Sequence, residues 1–462
     1  MMKRLSPMDA LFLYSESRET MMHVAGLLPF TPPDDAPPDF LREWVDEVRD
    51  ERRIFSPWNL KLKTPDFMVN PVHHWVEGPT PDIDYHVRRS ALPTPGDERE
   101  LGVLVSRLHS NPVDFHRPPW EVHIIEGLER GRFAFYAKMH HALVDGFSAM
   151  RILARSMSPD PSARDTPFFF AISEGERAPR PEPVATGGNP IYAAVRAQLE
   201  VARDVTGVLR DMWRAVREGD TGIIGPLAAP KCVLNGRIGR NRRFATQNYP
   251  LDQIKAIAKA AGGTLNDVVL ALSGAALRRF LQDLNALPDK PLVAMCPVNI
   301  RPKDDRGGGN AVGTILASLG THLADPGARM EAIMASTRRA KEQIQNLSKN
   351  AILQLSAVML MPSGLQQVLG MSGRVTPQFN VCISNVPGPE RQLYFRGARL
   401  EGAYPVSVPV HGQALNITCQ SYAGRLNFGF TGCRDTLPHM QRIAVQTGEA
   451  LTELAKHYGV SA

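Results

Sequence analysis

At 462 residues, 43% hydrophobic and 22% charged, the chain has the composition of a soluble globular protein too long for one ordinary core, so two domains are expected. Its formal charge of +6, from 53 basic and 47 acidic residues, excludes the block-charged pattern of a dedicated nucleic-acid binder. It suits acidic ligands, an anionic membrane surface, or simply a solvated surface rich in arginine.

The N-terminus starts basic, but Pro7 and Asp9 interrupt its apolar run, so no signal peptide is expected. No run reaches the roughly 18 uncharged apolar residues that would span a bilayer. Residues 21–30 read as a strand, followed by a Pro/Asp loop and a helix over 38–52 with Pro37 just ahead of it. A second helix is expected over 97–110. The segment from Pro118 to Ile125 leads into a strand whose hairpin partner is 132–140. Strands and helices alternate to residue 157, which predicts an α/β domain over 1–157.

Residues 158–190 are rich in proline and close on Gly187-Gly188, the composition of a linker. The second domain is expected over 191–462. It opens with 191–217, where Val195, Leu199, Ala202, Val205, Leu209, Met212 and Val216 form a helical stripe and five arginines lie off it. That is either a helix packed on its own protein or a basic helix lying on a membrane surface. Arg237, Arg240, Arg242 and Arg243 then crowd one short stretch, as a phosphate-binding cluster or as an exposed, charged lead-in to a strand. Helices are expected over 251–261, with Gly262-Gly263 as C-cap, and over 264–278 as a buried helix. A strand at 292–300, a glycine-rich loop at 307–313 and a helix at 327–345 follow. The uncharged segment 350–371 reads as a channel lining, a membrane-facing patch or a core helix pair broken at Pro362. Strands at 378–385, 399–409, 413–421 and 424–431 precede a final helix over 436–457. The five cysteines, 232, 296, 382, 419 and 433, contain no CxxC pair, which points to a reducing compartment and against a disulfide frame or structural zinc.

The chemistry concentrates in Lys138-Met139-His140-His141-Ala142-Leu143-Val144-Asp145-Gly146, a strand entering a turn. Neighbours on a strand face opposite ways, so His140 and His141 cannot both serve one centre from one face. One should point into the core, leaving the other for proton chemistry. Adjacent diverging histidines, with no third or fourth ligand at a recognisable spacing, argue against zinc. No GxSxG elbow is present, and the glycine-rich loop matches neither nucleotide fingerprint. A histidine general base remains, a role typically contributing a factor of about 10²–10⁴. Asp145 could hold the imidazole tautomer or brace the turn through a buried ion pair. Asn266 reads as a helix N-terminal capping residue, and Ser384-Asn385 as a turn.

HHALVDG resembles the HHxxxDG signature of the CoA-dependent acyltransferase superfamily. LSPMDALFLYSESRETMMHVAGL, RPPWEVHIIEGL, Thr264-Leu-Asn266-Asp267-Val-Val and Ile383-Ser-Asn385-Val-Pro387-Gly388-Pro389 narrow the likeness to bacterial wax ester synthase/diacylglycerol acyltransferases, from about residue 4 to 455. Pro119 departs from the family's Pro-Leu-Trp segment. The resemblance implies a mixed α/β (α+β) fold of two chloramphenicol-acetyltransferase-like domains, with a crossover helix and a tunnel between the halves. It implies that His141 is the general base, taking the proton of a long-chain alcohol or diacylglycerol hydroxyl as that oxygen attacks acyl-CoA. It further implies that His140 is the inward partner, that Asp145, with Gly146 beside it, pairs with Arg301, and that Asn266 stabilises the oxyanion or the CoA side. Ser384 and Asn385 are the candidate substrate contacts. No metal, prosthetic group or nucleic-acid partner is expected. The expected site of action is cytoplasmic, with the inner membrane or lipid inclusions as a peripheral surface. Two other readings remain: a non-catalytic lipid-surface or carrier-binding module of the same fold, and transfer to a different, condensation-type acceptor.

Overall fold

The computed structural model describes residues 2–5, 7–65, 73–79, 81–144, 146–173, 224, 228–299, 312–345 and 347–461. The chain forms two compact units, each gathered from separated segments. The first takes Met1–Glu174, Ile238–Ile254 and Asn385–Val445; the second takes Gly175–Arg237, Lys255–Ser384 and Gln446–Ala462.

The first unit is built on a seven-stranded sheet. Its order is Tyr394–Phe395, Ala398–Leu400, His23–Thr31, Phe133–His140, Trp120–Glu126 and Val87–Ala91, with Tyr404–Val406 paired to His23–Thr31 off that path. Trp120–Glu126 and Phe133–His140 form the expected antiparallel hairpin, and His140 lies opposite His23 on the next strand. Helices cover both faces of this hairpin, so its strands read as nearly continuous apolar runs. Phe133, Phe135, Ala137 and Met139 point into a core with Phe30, Trp44, Trp58 and Trp120. Ala134 and Tyr136 point the other way, into a core with Leu101, Leu104, Val105 and Phe244. By the same alternation, Lys138 and His140 belong to the Tyr136 face.

The helix Glu98–His109 starts at Asp97, whose side chain accepts the Glu100 N–H at 2.9 Å. It packs against the strand Arg242–Pro250, where Phe244 N donates to Ser106 Oγ at 2.9 Å. A small sheet of Met2–Arg4, His74–Glu77 and Leu60–Leu62 sits with the helix Pro7–Tyr14 over Leu5, Leu13, Leu62, Trp75 and Ala142.

The segment expected to be a linker enters this unit's core at its start. Phe168, Phe169 and Phe170 are buried, and Phe170 stacks on Trp120 with ring centroids 5.7 Å apart. The helix expected over 191–217 and most of the loop at 307–313 lie outside the described residues.

In the second unit, Val293–Asn299 pairs antiparallel with Val312–Ser318 and, through Ala294 and Met295, parallel with Val381–Val386. The buried helix Leu265–Asp283 approaches this layer closely. A Cβ on Gly274 would stand 2.7 Å from Leu319 O, so glycine is required there. The helices Pro326–Gln345 and Lys349–Val368 follow, the latter a single helix that continues through Pro362. No single described helix is long and apolar enough to cross a membrane.

Candidate active site

His140 is the last residue of its strand and fully buried. Its Nδ1 accepts the Ala142 N–H at 3.1 Å, which places the ring proton on Nε2, 3.3 Å from Glu16 Oε2. The same carboxylate oxygen accepts the Met22 N–H at 2.6 Å. His141 N then donates to Met22 O at 2.9 Å. Glu16, Met22, His140 and the turn 140–142 are thereby joined in one hydrogen-bonded knot.

His141 is the first residue past the strand and is partly buried. Its ring stacks on Phe12 of the helix Pro7–Tyr14, with centroids 4.0 Å apart and planes 17° from parallel. The two histidines thus leave the chain into different surroundings, one toward a carboxylate and one along an aromatic face. Gly146 is the first residue of the helix Gly146–Arg155. Asp145 and Arg301 lie outside the described residues.

A buried polar layer lies behind the turn. Lys138, 1% exposed, places Nζ 3.3 Å from Glu121 Oε2 and donates to the carbonyls of Leu108 and Asn111. Burial pushes the Glu121 carboxyl upward, but the neighbouring His123 ring and the charges of Lys138 and Arg88 outweigh it and bring it down to about 2. His109 Nδ1 accepts from Tyr136 OH at 2.8 Å, while its Nε2 donates to Ser407 O at 3.0 Å. His23 Nε2 donates to His109 O at 3.0 Å. Burial lowers both rings, His109 to about 3, so both are neutral at ordinary pH.

Three of the four crowded arginines tie the chain together. Arg242, 2% exposed, donates to Gly239 O and Glu19 O. Arg240 donates to Ser110 O and Asn111 Oδ1, and Arg237 to Gly370 O. The stretch is mainly a set of backbone clasps, with the strand Arg242–Pro250 beginning inside it.

Asn266 belongs to the second unit, at the second position of the helix Leu265–Asp283. The cap there is Thr264, in a reciprocal box with Asp267. Asp267 Oδ2 accepts Thr264 N at 2.8 Å and Thr264 Oγ1 at 2.7 Å, while Oδ1 accepts Thr337 Oγ1 at 2.6 Å. The helix start is therefore satisfied without the Asn266 amide, which excludes the capping role weighed for it. Ser384 and Asn385 lie on the strand Val381–Val386, partly exposed, not in a turn. The turn comes after them: Gly388 N donates to Ser421 Oγ at 3.0 Å, and a Cβ there would meet Ser421 O at 2.1 Å.

Sequence reading missed Glu16 and Phe12 as individual residues. The Thr264-x-x-Asp267 spacing was a legible capping signal, but nothing local marks Glu16 as the acceptor for a histidine 124 positions on. Among the described residues, no group of three or more His, Cys, Asp or Glu is placed to hold a metal ion.

The fold is shared with condensation domains. The starter condensation domain of a rhizomide synthetase, solved with C8-CoA and Leu-SNAC, superposes with a TM-score of 0.57 at 13% identity, covering 99% of this chain and 94% of that one. The likeness to condensation domains is one of fold. More specifically, residues 5–269 match the wax ester synthase/diacylglycerol acyltransferase catalytic domain, and residues 308–455 match the C-terminal domain of the same family. The chain belongs to the wax ester synthase/diacylglycerol acyltransferase family and is an O-acyltransferase. A Mycobacterium tuberculosis protein to which a diacylglycerol O-acyltransferase activity is ascribed is 52% identical, over 99% of this chain and 98% of its own. The O-acyltransferase WSD of Acinetobacter baylyi is 39% identical over 97% and 96%. The wax ester synthase/diacylglycerol acyltransferase of Marinobacter aquaeolei VT8 superposes with a TM-score of 0.79 at 37% identity, covering 99% of this chain and 100% of that one.

Proposed function

We propose that the protein moves a fatty acyl group from acyl-CoA to the hydroxyl of a long-chain alcohol or of diacylglycerol, with His141 as general base. The alcohol oxygen bonds to the thioester carbonyl carbon as His141 takes its proton. The tetrahedral intermediate then expels the CoA sulfur, which receives that proton. The step balances with acyl-CoA, the alcohol and one imidazole, and no acyl-enzyme is formed.

The observation that carries this reading is the placement of His141: partly buried at a strand end, its ring plane fixed by Phe12 and its backbone held through Met22. A base fixed in this way loses little orientation on binding substrate. In the same reading Asn266, its helix already capped, offers its amide to the oxyanion or to the CoA side. Ser384 and Asn385 contact substrate. The protein works at a peripheral lipid surface, where long-chain acceptors reside.

The test is CoA release from palmitoyl-CoA with hexadecanol or a diacylglycerol, beside His141→Ala. Release that falls by at least about 10² in the variant supports the reading. No release with any long-chain alcohol or diacylglycerol overturns the activity, and equal rates in the variant overturn the role of His141.

A further inference from the structure

The helix Lys349–Val368 is buried near its start and anchored on one face only from Val358 onward. Ala351, Leu355 and Ser356 are buried, and Met359 and Leu360 pack on Val293, Leu316 and Phe379. Ser356 Oγ accepts the Thr314 N–H at 2.9 Å, and Ser363 Oγ donates to Gln378 Oε1 at 2.9 Å. The other face carries Val358, Met361, Leu365 and Leu369, spaced three and four residues apart, with Met371 just past the helix end. Met361 is 62% exposed and Leu369 59%. Such spacing places them in one continuous apolar stripe. A contiguous stripe of this kind marks a surface made to be covered.

The charges around the stripe say what covers it. No aspartate or glutamate stands between Glu342 and Glu390. At the C-terminal end of the stripe three exposed cations converge: Arg237 donates to Gly370 O at 3.3 Å, and Lys231 Nζ donates to Arg374 O at 3.2 Å. Apolar side chains flanked by cations, with no anion between, match the boundary of a bilayer whose headgroups are negative.

We infer that this face of the second unit docks on an anionic bilayer, the stripe resting at the acyl boundary and Lys231, Arg237 and Arg374 against lipid phosphates. The inference deepens the acyl-transfer reading, because an alcohol or diacylglycerol with a long chain partitions into membranes and would be drawn from that surface.

The test uses the full chain with vesicles of phosphatidylcholine alone or mixed equally with phosphatidylglycerol, read by co-sedimentation. Binding should favour the mixed vesicles and weaken with added salt. Leu365→Glu/Leu369→Glu should lower the partition to both compositions by at least about tenfold. Lys231→Glu/Arg374→Glu should lower it roughly tenfold on the mixed vesicles only. Both variants should release CoA at the wild-type rate with a short, water-soluble alcohol. Met361→Gln/Leu365→Gln serves as the stripe variant if the charged pair fails to fold. The inference is overturned if the wild type ignores anionic vesicles, or if the stripe variants bind them as the wild type does. It is also overturned if the wild type is a dimer that Leu365→Glu/Leu369→Glu dissociates, since the stripe would then be covered by a second copy. Sedimentation needs no turnover, so a failure of docking and a failure of the acyl-transfer reading are seen separately.

Discussion

The imidazole of His141 lies over the ring of Phe12 at 4.0 Å, almost parallel to it. Stacking of this kind fixes the plane of the imidazole ring. Phe12 is itself positioned by the short helix Pro7–Tyr14, whose Leu13 is buried beneath it. The N-terminal segment therefore supplies one wall of the site around a residue in the turn after a central strand.

Phe12→Ala should free the imidazole to rotate and lower kcat by about tenfold, with KM for acyl-CoA changed little, because misorientation acts mainly on the reacting step. Phe12→Tyr keeps an aromatic face and should retain most of the rate. Steady-state kinetics of the two variants side by side decide the point. A loss confined to KM would show that Phe12 binds substrate instead.

Glu16 accepts from both His140 Nε2 and Met22 N, so its loss leaves two donors without an acceptor in a buried place. Glu16→Ala should cost about 1–3 kcal/mol of stability and also lower turnover, because the turn bearing His141 loses its anchor. Glu16→Gln keeps one acceptor oxygen and should fall between the two. Thermal unfolding and kcat are measured together; a variant with wild-type Tm and wild-type kcat would rule the anchor out.

Asn266 and Asp267 are neighbours with separable roles. Asp267→Ala removes the reciprocal cap and the partner of Thr337, and should cost on the order of 2 kcal/mol or more. Asn266→Ala leaves the cap intact, so Tm should hold while kcat falls by about 10²–10³ if the amide supports the oxyanion. The two outcomes cross, and an Asn266→Ala variant that loses only stability would assign that residue to the helix instead.

The central hairpin was legible because Trp120–Glu126 and Phe133–His140 are short aromatic and β-branched runs bounded by glycines, and turn chemistry is local. The helix Leu265–Asp283 was legible for the same reason, through the spacing of Thr264 and Asp267. Three kinds of feature were not. Phe168–Phe170 pack into a core from within a proline-rich stretch, because irregular chain can bury aromatics without periodicity. The strand expected over 399–409 is two short ones, Ala398–Leu400 and Tyr404–Val406, both paired to His23–Thr31, a partnership no window of sequence contains. The Glu16–His140 and Phe12–His141 contacts are likewise long-range. The motif histidines could be named from the sequence, whereas the residues holding them had to be seen in place.

His109 and His23 give the fold a definite acid sensitivity. Burial brings His109 from its ordinary 6.5 to about 3 and lowers His23 as well, with the charges of Lys138 and Arg242 nearby acting in the same direction. Below pH 6.5 the unfolded chain therefore binds protons that the folded chain refuses. Stability present above pH 6.5 is lost as the pH falls from there toward 3, by on the order of 4 kcal/mol for His109 at the end of that range. Glu121 adds a second, later loss: its folded carboxyl, held at about 2 against an ordinary 4.5, contributes stability above 4.5 that disappears as the pH falls toward 2. Melting temperature should accordingly be level near pH 8 and fall steadily between 6.5 and 5, ahead of the loss from Glu121. His109→Gln, which retains polar atoms near Tyr136 and Ser407 but cannot take up the proton, should start from a lower Tm and show a flatter slope over that interval. An unchanged slope would place the acid-sensitive proton elsewhere in the molecule.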